Sequence, residues 1–72
     1  MNLKVLTARK ERRLTQGQLA STTGINPADI VRIERHGWIP PAEVRQRLAE
    51  ALGTAEEELF GTDVKSHGQA AN

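Results

Sequence analysis

Arginine and lysine are the side chains in this sequence with the most chemistry to offer, and they are unevenly placed. Residues 1–47 carry nine of them (Lys4, Arg9, Lys10, Arg12, Arg13, Arg32, Arg35, Arg45, Arg47) against four acids (Glu11, Asp29, Glu34, Glu43), a local charge of +5. Residues 48–72 carry Lys65 against Glu50, Glu56, Glu57, Glu58 and Asp63, a local charge of −4. The formal net charge of +1 conceals this division. A basic front and an acidic back suit a molecule that turns one face toward phosphates. Ordinary solvated charge on helices gives the same distribution, so charge alone leaves both readings open.

Other chemistry is thinly supplied. Ser21, His36 and Glu34 lack the context of a nucleophile elbow or a triad, and no glycine-rich phosphate loop occurs, so no enzyme activity is expected. The two histidines, His36 and His67, are far apart and there is no cysteine. A zinc site, a thiolate site and a disulfide framework are therefore not expected, and no metal or cofactor is assigned. The run Glu56-Glu57-Glu58 reads as a solvated helix start favoured by the helix dipole. No apolar run reaches the length of a membrane span, and Met1-Asn2-Leu3-Lys4 lacks the apolar stretch of a signal peptide.

The elements that position these residues are helical. The chain has 72 residues, one Phe and one Trp. That length allows one domain with a small core, which dimerisation or tight helix packing would help to stabilise. β-branched alternation is missing, and the apolar spacing has a helical period. Helix 1 is expected from Asn2 to Arg12, with Leu3 and Leu6 inward. Helix 2 starts at a capping box, Thr15 with Gln18, flanked by the staple Leu14 and Leu19; it ends near Thr23, before Gly24. Helix 3 starts with Asn26 as cap, Pro27 at the first position, Asp29 closing a second box, and Ile25 with Ile30 as a second staple. It carries Ile30 and Ile33 on one face and ends near Arg35 or His36. Helix 4, Pro41–Leu52, shows Val44, Leu48 and Leu52 at i, i+4, i+8, and Gly53 ends it. Thr54 with Glu57 predicts a third box for a short helix 5 holding Leu59 and Phe60. The expected domain is residues 1–61, followed by a disordered tail, 62–72, whose one sizeable apolar residue is Val64.

Two consecutive capped helices joined through Gly24 are the strongest feature. Ala20 allows the second helix to cross closely. Gly24 supplies the turn, and Leu19, Ile25, Ile30 and Ile33 anchor the pair at a fixed angle. That arrangement lets a helix protrude into a major groove, which places the DNA-facing segment at Leu14–Arg35.

The pattern Leu14-Thr15-Gln16 … Leu19-Ala20 … Gly24-Ile25 … Ile30 … Ile33-Glu34 … Pro40 … Leu48-Ala49 … Ala51-Leu52-Gly53 … Leu59-Phe60 resembles the Cro/C1-type (XRE family) helix-turn-helix domain. The resemblance covers about Leu3–Gly61. It implies an all-α, five-helix, lambda-repressor-like fold with the helix-turn-helix at helices 2 and 3. It also implies transcriptional regulation, usually repression, through double-stranded DNA bound as a symmetric homodimer, in the cytoplasm and nucleoid. Many members of the family act instead as antitoxins or controllers, so a protein partner (a toxin or another regulator) is the rival expectation.

The resemblance implies roles for Gln16, Arg9 and Glu34, and the remaining roles are expected from where the residues fall on the helices. Gln16 contacts backbone phosphate, assisted by the positive helix end. Thr15, Arg13, Arg35 and Trp38 complete the phosphate set. Arg9 pairs with Glu34 to lock helix 3 to helix 1. Base reading falls to Arg32, Asn26, Pro27, Ala28 and Asp29 on the outer face of helix 3. Arg32 leads, because an arginine there binds guanine bidentately. Pro27 and Ala28 offer only apolar contact with a thymine methyl, so shape readout is expected to contribute. Asp29 serves either the cap or a cytosine amino group. Leu59 and Phe60 are the expected dimer contacts. Two departures stand out. Arg13 replaces the usual glycine after helix 1, which implies either a left-handed residue or a rebuilt helix end. Trp38, in His36-Gly37-Trp38-Ile39, either lies on the DNA backbone or caps the core between helices 3 and 4.

Overall fold

A computed structural model describes residues 1–61, and every regular element in them is helical: α1 (Leu3–Glu11), α2 (Gln16–Thr23), α3 (Pro27–His36), α4 (Ala42–Leu52) and α5 (Glu56–Phe60). The tail at 62–72, with Val64 and His67, lies outside the described residues. α1 packs on α3 and α5, α2 packs on α3 and α4, and α4 packs on α5. The five helices thus close a ring of contacts. Each contributes to the core inside it: Val5, Leu19 and Ala20, Ile30 and Ile33, Leu48 and Leu52, and Leu59, with Ile25 from the turn.

The start of α2 follows its local sequence. Thr15 Oγ1 accepts from the Gln18 N–H at 3.0 Å, and Gln18 Oε1 accepts from the Thr15 N–H at 2.8 Å. Two of the first turn's orphan donors are satisfied this way. Gly24 then takes a left-handed φ of 74°. The N–H groups of Gly24 and Ile25 both donate to the Ala20 carbonyl, which closes the helix and redirects the chain into α3. Asn26 caps α3 and Pro27 opens it.

Three local expectations are corrected. In α1 the buried side chains are Val5 and Arg9, while Leu3 is 60 % exposed and Leu6 is half-buried. Asn2 decides this register. Its Oδ1 accepts from the Val5 N–H, its amide donates to the Leu59 carbonyl, and its N–H donates to the Glu34 carbonyl. These bonds dock the start of α1 against α3 and α5, which turns Val5 inward and Leu3 out. At α3 the Asn26 side chain accepts from the Ala28 N–H, an Asx-type cap, and Asp29 closes no box. At α5 the cap is Ala55, not Thr54. The Thr54 N–H is already committed to the Ala49 carbonyl in the turn that ends α4, so it cannot receive a glutamate as a box requires.

Gly53, at φ 60°, answers to a neighbour rather than to its turn alone: a Cβ there would collide with the Arg12 guanidinium. Arg12 Nε donates to the Leu52 carbonyl at 2.6 Å and so caps the end of α4 from α1.

Candidate nucleic-acid interface

The inner side of α3 is fixed by a buried polar network. Glu34 is fully buried. Arg9 Nε donates to its Oε2 at 2.7 Å and Nη2 to its Oε1 at 3.0 Å, a bidentate pair; Nη1 donates to the Leu14 carbonyl at 2.8 Å. Gln16 Nε2 adds a bond to Glu34 Oε1 at 3.0 Å. One carboxylate therefore ties α3 to α1 and to the first residue of α2. Among the described residues no buried side-chain polar atom lacks a partner, so the network is complete. A complete network in a low dielectric defines one angle between helices, because each alternative strands a buried charge.

Above this network lies a cleft between α1, the turn before α2 and the end of α3. Lys10, Arg13, Thr15, Gln16 and Arg35 line it together with the apolar Met1, Leu6 and Leu14, with Arg9 and Glu34 also on its wall. The structure thus brings together four of the five phosphate candidates, Arg13, Thr15, Gln16 and Arg35, and leaves Trp38 outside. Lys10 was not among the candidates. Its signal was present, since Lys10 and Arg13 are three residues apart at the end of α1. Arg13 takes φ +59°, the left-handed alternative, as the one non-glycine residue with positive φ among those described. Gln16 keeps one amide hydrogen beyond its bond to Glu34.

The outer face of α3 holds the base-reading candidates. Asn26, Pro27, Ala28 and Arg32 are exposed, and Asp29 is half-buried. Arg32 makes no side-chain hydrogen bond among the described residues; its guanidinium carbon sits 4.9 Å from the centroid of the Trp38 ring. Trp38 is half-buried and packs against the core, the second of its two expected placements. Of the expected dimer contacts, Leu59 is buried in the core of its own chain and Phe60 is half-buried. No cluster of His, Asp or Glu suited to a metal ion occurs among the described residues, and no helix there is long and apolar enough to cross a membrane.

Comparison with known protein families matches residues 6–59 to the helix-turn-helix domain. The chain belongs to that family. No curated protein and no solved structure matches it. The matched span runs from the middle of α1 to the penultimate residue of α5, so the family covers the whole ring of helices and not α2 and α3 alone. In this helix-turn-helix domain the pair α2–α3 is joined by Gly24, Ile25 and Asn26, with Ala20 buried beside Ile25.

Proposed function

We propose that this helix-turn-helix domain is a Cro/C1-type transcriptional regulator, acting as a repressor, that binds a palindromic operator as a homodimer with α3 in the major groove. The observation that carries this reading is the alignment of two surfaces. A basic cleft holding Lys10, Arg13, Thr15, Gln16 and Arg35 lies beside α3, whose own outer face is exposed and anchored from within by Glu34. Such a cleft receives a backbone phosphate while α3 meets base edges. Gln16 donates its second amide hydrogen to phosphate at the positive end of α2. Arg32 reads guanine, and Asn26, Pro27, Ala28 and Asp29 follow the start of the helix along the groove. The readers are few, so groove shape contributes to specificity. In the dimer the two recognition helices stand about 34 Å apart, one turn of DNA. With Leu59 spent in the core, the dimer contact falls to Phe60.

A second reading is an antitoxin or interaction module of the same fold whose main partner is a protein. It is favoured by Pro27 and Ala28, exposed at the start of α3 with no hydrogen-bonding side chain to offer. Titration of duplex DNA across a salt series separates the two. A regulator loses affinity steeply, with log K falling by roughly 0.9 per phosphate contact for each decade of salt. An interaction module binds DNA weakly and without that slope.

A further inference from the structure

We propose that Trp38 is a positioning residue for base reading: its indole face holds the Arg32 guanidinium in the pose in which Arg32 meets a base. The proposal rests on the reading of α3 as the base-reading helix. Arg32 and Trp38 are joined twice. The guanidinium carbon lies over the ring at 4.9 Å from its centroid, and the Trp38 N–H donates to the Arg32 carbonyl at 3.2 Å. The backbone bond wraps the chain after Gly37, at φ 68°, back over the last turns of α3 and brings the ring beneath the arginine. The core holds Trp38 in turn, since the half-buried indole packs against it. The ring is thus a fixed platform on an otherwise exposed face.

The chemistry of the two contacts is compatible. A cation–π contact engages the flat face of the guanidinium, whereas its N–H donors point outward in the plane. Stacking therefore consumes none of the donors that a guanine O6 and N7 require. An exposed arginine on a helix samples many rotamers and must give them up on binding. Arg32 on Trp38 has already lost part of that freedom, so less is lost when the base contact forms. The gain appears as discrimination at the one base position that Arg32 reads.

The test measures binding of the full chain to a duplex it selects from random DNA, and to the same duplex changed at the base pair where Arg32→Ala relaxes preference. The ratio of the two affinities is the readout, because any general loss of stability or phosphate contact cancels in it. Trp38→Leu is expected to lower the ratio by about two- to five-fold, the worth of an exposed cation–π contact, and Trp38→Phe to recover most of it. In the Arg32→Ala background Trp38→Leu is expected to change the ratio no further. An equal effect with and without Arg32, or an unchanged ratio in Trp38→Leu beside a lowered one in Arg32→Ala, overturns the role of Trp38 alone. An unchanged ratio in Arg32→Ala overturns the reading of Arg32 and this proposal with it. Proton chemical shifts of the wild-type chain test the pose without a variant. The Arg32 δ protons are expected upfield, in the ring current of Trp38, both free and on DNA. Their return to ordinary positions in the complex overturns the proposal.

Discussion

Arg9 and Arg45 make nearly the same contacts in two parts of the molecule. Arg9 sends Nε to Glu34 at 2.7 Å and Nη1 to the Leu14 carbonyl at 2.8 Å; Arg45 sends Nε to Glu56 at 2.7 Å and Nη1 to the Pro40 carbonyl at 2.7 Å. Each arginine is 8 % exposed, and each fastens a helix to a loop and to a second helix. The difference lies in the acid. The Glu34 side chain is 0 % exposed, carries both guanidinium bonds and also accepts from Gln16, whereas that of Glu56 keeps 17 % of its surface and receives one bond. The first pair sits under the basic cleft and sets the angle of α3. The second closes the opposite side of the ring, where α4 meets α5. Similar chemistry thus fixes α3 beneath the cleft in one place and closes the ring in the other.

Removing each acid tests that contrast. Glu34→Ala leaves a buried Arg9 without its partner and is expected to cost about 3–5 kcal/mol in urea unfolding, a loss that a domain this small barely survives. Glu56→Ala leaves Arg45 one carbonyl bond and nearby solvent, and about 1–2 kcal/mol is expected. Equal losses at the two sites would mean that burial of the acid does not separate them.

On the recognition side, Arg32→Ala is expected to cost about 1–3 kcal/mol of discrimination at one base position and to leave random-sequence binding nearly intact, as read by competition between single-base operator variants. Equal loss on chosen and random DNA would remove Arg32 from base reading. Arg13→Gly separates stability from binding more finely. Glycine relieves the left-handed residue, a cost of about 1–2 kcal/mol offset in part by the greater freedom glycine has when unfolded, so a net gain of about 0.5–1 kcal/mol is expected. The same variant is expected to lower the salt slope of DNA binding by about one unit, because one phosphate contact goes. A stabilised variant with unchanged slope would make Arg13 a structural accident. The exposed pair Arg47–Glu43 gives the lower bound of the series: Arg47→Ala is expected to shift unfolding by about 0.5 kcal/mol or less.

The region around α2 and α3 was legible in the sequence because its signals are local. The Thr15–Gln18 box, Gly24 and the Ile25–Ile30 staple need only neighbours along the chain. Its one local failure is the Asn26–Asp29 box, because the Asn26 side chain turns to the Ala28 N–H instead. The other failures came where a partner arrives from elsewhere. The inward face of α1 runs Val5, Ala8, Arg9, so an apolar stripe cannot reveal it, and the sequence pattern favours Leu3 over Val5. The inward face of α4 likewise includes Arg45 between Val44 and Leu48, and nothing local to Arg45 names Glu56 or the Pro40 carbonyl. Thr54 looked like a cap because its residue type and the acid after it fit, but the turn ending α4 had already taken its N–H. At the candidate interface the pairing of Arg9 with Glu34 came from family resemblance rather than from spacing. The contact of Arg32 with Trp38 had no sequence pattern to announce it, since it depends on how the loop after α3 folds back.

Selection of binding sites from a random duplex library by the full chain tests the central claim most directly. A helix-turn-helix regulator reading with α3 is expected to enrich an inverted repeat whose half-site centres lie about 10–10.5 base pairs apart, with guanine preferred at the base pair that Arg32→Ala relaxes. Recovery of no common sequence after repeated rounds at moderate salt would contradict it.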